Sequence, residues 1–300
     1  MSGKTRILKI ILQTIFVLVV FFFLGRILLN NWSRLNLDFT NLHFGWLALA
    51  CLVLAFSLAS YAYCWKVIMH YLGQNLSIRK AVRIWYWSQA PRYIPGSIWQ
   101  IFGRIHFAGK EGISKGKVLA SIAIETSFLI ISSFIVFFAS LPFWAKSFDY
   151  LYYGPYLLIG AAGIVFLYPP FFNKVSNFFL HRLDKTHDFK YQFSFRQVMG
   201  MFWPFLIVWL TGGIGAYFLS LSISSLQIGL LPVFIGTFAI SWSIGFLFII
   251  APAGLGAREL VIVSALGLFI NRPLAIVIAL FARVVLLVLE ALILVISSRF

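Results

Sequence analysis

The chain has 300 residues, 61% of them hydrophobic and only 11% charged, with a mean hydropathy of +0.95. No polar shell could cover a soluble core of that composition, so lipid must serve as the outer solvent and the chain reads as an all-α polytopic membrane protein. The formal net charge of +16 comes from 24 basic against 8 acidic residues. Much of that excess lies in loops assigned to one side, which signals topology and anionic lipid; nucleic-acid binding would need a basic soluble face.

Lys4, Arg6 and Lys9 precede an uncharged apolar run over 10–25 that continues through Leu29, longer than a signal-peptide core and without its small-residue cleavage site. It is read as the first span. The loop 30–44, with Arg34 and Asp38, is external, and a second span over 45–69 returns to Arg79, Lys80 and Arg83. The positive-inside rule makes the N-terminus and this basic loop cytoplasmic. Cys51 and Cys64 share that apolar segment and form no disulfide framework.

The segment 88–108, SQAPRYIPGSIWQIFGRIHFA, is broken by Pro and Gly and lies between Trp85, Trp87 and the basic stretch 110–117. Same-side charge on both flanks predicts a re-entrant hairpin, with an amphipathic helix lying flat at the interface as the alternative. The third span, 118–140, carries Glu125. After an external loop with Lys146 and Asp149, a fourth span over 154–172 ends near Pro169 and Pro170. The polar loop 173–197 is a cytoplasmic linker between two halves, 1–172 and 198–300.

Spans five and six, 201–221 and 229–250, contain Gly212, Gly213, Gly215, Gly236 and Gly245, small residues that let helices approach closely. A second broken segment, 251–270, contains APAGLGARE. The half-helix after it is expected to continue toward the far side, placing Arg272 outside and the last span, 273–297, inward ahead of Arg299. The ten or so apolar residues after each break would reach about 15 Å as helix, half the hydrocarbon thickness. The expected whole is a single integral membrane domain of about seven or eight membrane segments in two pseudo-repeated halves, each with a broken helix. Aromatics, 18% of the chain and mostly Phe, fit lipid-facing surfaces and interfacial belts better than a catalytic array.

Charged side chains within spans are costly and usually face protein or water, which marks Glu125, Arg283 and Glu290 as candidates. Glu125 and Glu290 each lie seven residues from a cytoplasmic helix end, roughly 10 Å deep at helical rise. Arg92, Arg104, Arg258 and Glu259 stand at or beside the breaks. A half-helix N-terminus offers free N–H groups and Arg a planar fork, both suited to phosphate. An anionic head would fit between Arg92, Gly96, Ser97 and Arg104 in one half and Gly254, Gly256 and Arg258 in the other. The alternative role for these charges is mutual pairing that holds the broken helices.

These same stretches carry a resemblance. RYIPGSIWQIFGR at 92–104, the span-borne Glu125 and APAGLGARE at 251–259 resemble the lysylphosphatidylglycerol synthase transmembrane-region family, the flippase-like domain of aminoacyl-phosphatidylglycerol synthases. The resemblance implies two helical halves with re-entrant helices and a lipid-translocating role. It departs at Ser97 and Ala253, where the family tends to show Pro-Gly-Gly, and at Thr126, where Arg usually follows the Glu.

The leading expectation is a flippase for an anionic or aminoacylated phospholipid or a polyprenyl-phosphate-linked envelope precursor. A carrier of small solutes or ions using buried carboxylates is the alternative, and a non-transporting scaffold the third. An enzyme is not expected: the five histidines form no HExxH or compact cluster, no P-loop is present, and no soluble tail houses a transferase domain. No cofactor or metal is assigned. The expected partner is a phospholipid or polyprenyl-phosphate lipid and not nucleic acid, with a homodimer and a separate synthase or glycosyltransferase as candidate protein partners. The expected location is a prokaryotic plasma membrane with both termini cytoplasmic.

Overall fold

A computed structural model describes residues 42–93, 99–144, 167–183, 192–248 and 252–299. The first span at 10–29, most of the fourth at 154–172, Gly96 and Ser97 lie outside the described residues. Nine helices are described: α1 Phe44–Tyr71, α2 Ile78–Gln89, α3 Trp99–Gly109, α4 Lys115–Ser140, α5 Pro169–Leu183, α6 Phe195–Leu221, α7 Leu231–Leu247, α8 Ala257–Leu266 and α9 Arg272–Ser297. Among the described residues no strand is present. Five stretches are long and apolar enough to cross a membrane: α1, Lys115–Trp144, α6, Ile228–Leu247 and α9. They coincide with the second, third, fifth, sixth and seventh expected spans. The start of the stretch expected as a linker is helical, since α5 runs on to Leu183.

Several helices begin earlier than their apolar runs. Ser77, Ser114, Ser194 and Asn271 are N-caps whose side chains accept hydrogen bonds from the backbone N–H groups of Lys80, Lys117, Gln197 and Leu274. Gln197 accepts in return from the Ser194 N–H, closing a capping box. The cap sets the start, so α4 begins at Lys115 rather than 118 and α6 at Phe195 rather than 201. Their first turns carry Lys and Arg that keep their heads in water while the helix beyond turns apolar.

Helix α4 is the hub. Ser121, Glu125, Phe128 and Ser132, spaced at three and four residues, are buried along one face. Trp65 of α1 donates its indole N–H to Ser121 Oγ at 2.9 Å, and Trp209 of α6 donates to Ser132 Oγ at 2.7 Å. Ser133 pairs with Ser243 of α7. Such bonds contribute about 1 kcal/mol or less each between membrane helices, and their directionality fixes the register of four helices. Close backbone approach does the rest: a Cβ at Gly213 would collide with Ile235 of α7, and one at Gly236 with Ser140.

Two hairpins interrupt this bundle. In the first, α2 packs on α3, and the Lys80 to Glu111 ion pair at 2.6 Å holds the outer ends of the hairpin together. Gly103 lies on the backbone of Ser88, where a Cβ would come within 3.2 Å of the Ser88 Cα. In the second, α7 turns through Pro252–Gly254 into α8. A Cβ at Gly254 would sit 2.8 Å from the Gly245 carbonyl oxygen. Ile262, Val263 and Leu266 of α8 share an apolar cluster with Val233 and Phe234 at the start of α7 and Ala275 and Ile276 of α9. Helix α8 therefore runs back along α7 toward the level at which α9 begins. The two turns, Ala90–Tyr93 and Pro252–Gly254, touch each other.

Candidate functional site

A cavity of about 620 Å³ opens where the two hairpins meet α1, α4, α6 and α9. Its lining includes Arg92, Arg104, Glu125, Gly254, Arg258, Glu259, Arg283 and Glu290, charges drawn from both hairpins, α4 and α9. Gly256 is not on the lining. At a φ of +84 it precedes α8 and donates its N–H to Glu259 Oε2 at 2.7 Å, fixing that carboxylate.

The charges divide by how completely they are answered. Arg104 and Glu125, with side chains 3% and 5% exposed, form a buried ion pair. Arg104 Nε also donates to Ser88 Oγ at 3.2 Å, and the second carboxylate oxygen of Glu125 accepts from the Trp85 indole N–H at 2.6 Å. The guanidinium lies 5.4 Å from the Trp65 ring centre and 5.5 Å from that of Trp85. These bonds tie hairpin one to α4. Arg92, at the hairpin tip, is paired with Glu290 of α9, and Arg283 Nε stands 3.9 Å from Glu259 Oε1. The seven-residue gap between Arg283 and Glu290 is thus met by partners from different hairpins rather than along the helix.

Arg258 differs. Its stem packs on Gly245, its guanidinium lies 5.6 Å from the centre of the Trp242 ring, and its Nε is buried without a hydrogen-bond partner. Among the described residues it has no ion pair within 4 Å. Four guanidinium groups on the lining face three carboxylates, which leaves one formal positive charge, and Arg258 is the one with no described carboxylate within 4 Å. In a medium poorer in water than bulk, such a charge is strongly attractive to an anion.

The lining also holds an aromatic wall that the composition argument missed. Tyr61 stacks on Trp85 at 5.5 Å and meets Trp209 edge-on at 6.1 Å. Trp209 contacts Trp242 at 5.4 Å, and Trp242 lies flat on Phe246 at 5.3 Å. These rings face the cavity rather than the lipid or interface expected of them. The available signal was position: Trp209 and Trp242 sit well inside α6 and α7, away from the helix ends where interfacial Trp belongs. Gln89 and Gln100, polar residues beside the first break, also line the cavity and were passed over. His106 is exposed on α3 and does not line it. Among the described residues no group of three His, Cys, Asp or Glu is placed to hold a metal.

Membrane-length helices around a charged, aromatic-walled cavity, closed by two broken-helix hairpins, define a multi-pass membrane protein with an internal polar site. Residues 9–293 match the family described as the lysylphosphatidylglycerol synthase TM region, and the chain belongs to that family. The matched part is the membrane region of those proteins and not their catalytic synthase domain. A comparison with curated proteins finds no match.

Proposed function

We propose that the protein moves a lipid with an anionic head, a phospholipid or a polyprenyl-phosphate-linked precursor, between the leaflets of a prokaryotic plasma membrane. The observation that carries this reading is the guanidinium of Arg258, which has no carboxylate within 4 Å among the described residues, on a largely apolar cavity wall whose other charges are paired. Arg258 anchors the phosphate, and Gln89 and Gln100 offer amides to the rest of the head. Hairpin α2–α3 dips into the bilayer from one face, and the short helix α8 turns back from the break that ends the membrane-length α7, so that irregular backbone lines the polar cavity instead of facing lipid. Membership of a family named for lipid-modifying proteins supports a lipid rather than a free solute. A proton-coupled solute carrier is supported less, because each cavity carboxylate already faces an arginine.

The test is reconstitution into vesicles containing fluorescent phosphatidylglycerol, with leaflet-selective chemical quenching. The wild-type protein is expected to make the inner-leaflet pool accessible, and Arg258→Gln to slow that step at least ~10-fold, the effect of about one lost charged contact. No protein-dependent movement of any anionic lipid tested, or an Arg258→Gln rate equal to wild type, would sink the reading.

A further inference from the structure

Resting on that reading, a narrower question is which head groups the cavity turns away. An aminoacylated phospholipid carries ammonium groups beside its phosphate, and a buried ammonium needs a carboxylate, a carbonyl cluster or an aromatic face to replace water. Here the carboxylates are engaged: Glu125 by Arg104 and Trp85, Glu290 by Arg92, Glu259 by the Gly256 N–H with Arg283 beside it. Two aromatic faces suited to a cation are occupied by the protein's own guanidinium groups. Arg104 lies over Trp85, whose ring also stacks with Tyr61, and Arg258 lies over Trp242, whose ring also stacks with Phe246.

We infer that the cavity selects a lipid head whose only charge is its phosphate and rejects a cationic, aminoacylated one. Adding an ammonium to a lining that already carries a net positive charge leaves it unpaired and repelled, and that repulsion separates two heads which share the same phosphate. Arg258 is then the specificity residue as well as the anchor, since it supplies the excess charge. Tyr61 is stacked on Trp85, and Trp209 is flanked by Tyr61 and Trp242, so the surface these rings have left suits an uncharged polyol or sugar portion.

The experiment titrates the purified full chain in uncharged detergent with three short-chain probes: dihexanoyl phosphatidylglycerol, its lysyl ester, and dihexanoyl phosphatidylcholine. Tryptophan fluorescence reports binding, because Trp85, Trp209 and Trp242 line the cavity. Phosphatidylglycerol is expected to bind at least ~10-fold more tightly than the lysyl ester, one decade in Kd. Arg258→Lys should keep that preference and Arg258→Gln should erase it. A lysyl ester that binds wild type as tightly as phosphatidylglycerol overturns the inference while leaving a lipid site standing. If none of the three probes binds, the phospholipid form of the underlying reading falls and takes the inference with it. The wild-type comparison decides the matter even where a variant fails to fold.

Discussion

Arg104 and Arg258 are both cavity arginines beside a chain break, yet their surroundings assign them opposite duties. Arg104 is enclosed by Glu125, Ser88 and two indole faces, so removing either member of its ion pair strands a buried charge. Glu125→Gln or Arg104→Gln alone should cost about 3–5 kcal/mol, whereas Arg104→Met with Glu125→Leu should recover most of it. Thermal unfolding in detergent checks this, and single variants as stable as wild type would show that the pair holds nothing. Arg258→Gln, which breaks no ion pair, should change stability far less than either. At this scale the charges were legible because charge is rare in these spans. Mutual pairing was legible as their alternative role, and Glu125 and Glu290 do pair with Arg104 and Arg92. Which carboxylate meets which guanidinium was not, because Glu290 finds Arg92 at a separation of 198 residues and only the packed bundle specifies that meeting. Tyr61, Trp209 and Trp242 stayed hidden for a related reason: a ring facing a cavity and a ring facing lipid look alike in composition.

Among the elements, the turn Pro252–Gly254 is the most constrained. Ala253 adopts a φ of +52 and a ψ of +22, the left-handed region that costs a residue with a Cβ about 1–2 kcal/mol. Gly254 at a φ of +67 is pressed against Gly245. Ala253→Gly should therefore raise stability by about 0.5–1 kcal/mol, the relief of strain less the extra entropy of glycine in the unfolded chain. A chemical-denaturation midpoint that falls would contradict this. The spans themselves were readable from apolar runs, with onsets placed late because lipid-facing composition begins after the cap. S-I-R-K, S-K-G-K and S-F-R-Q each put a hydroxyl where the third residue's N–H needs an acceptor, a start signal independent of hydropathy. The return of α8 along α7 was only half readable: Pro and Gly mark a break, while the direction after it depends on the Gly245 and Gly254 contact.

For the molecule as a whole, composition sufficed for the class, since a chain this apolar has to use lipid as solvent. Val284, Val288, Leu292 and Val295 of α9 remain exposed on one apolar stripe, as a lipid-facing helix requires. The cavity was not legible, because concavity comes from how hairpins and spans pack and no segment contains it. What the three short stretches 92–104, Glu125 and 251–259 could indicate was the family, and the match over 9–293 shows it. The most direct test of the central claim, that Arg258 holds an anionic lipid head inside the bundle, is native mass spectrometry of protein released from its membrane in mild detergent. A bound anionic lipid on wild type that is retained by Arg258→Lys and lost from Arg258→Gln is the predicted result. Wild type that flies without lipid, or Arg258→Gln that keeps the same adduct at the same occupancy, would contradict it.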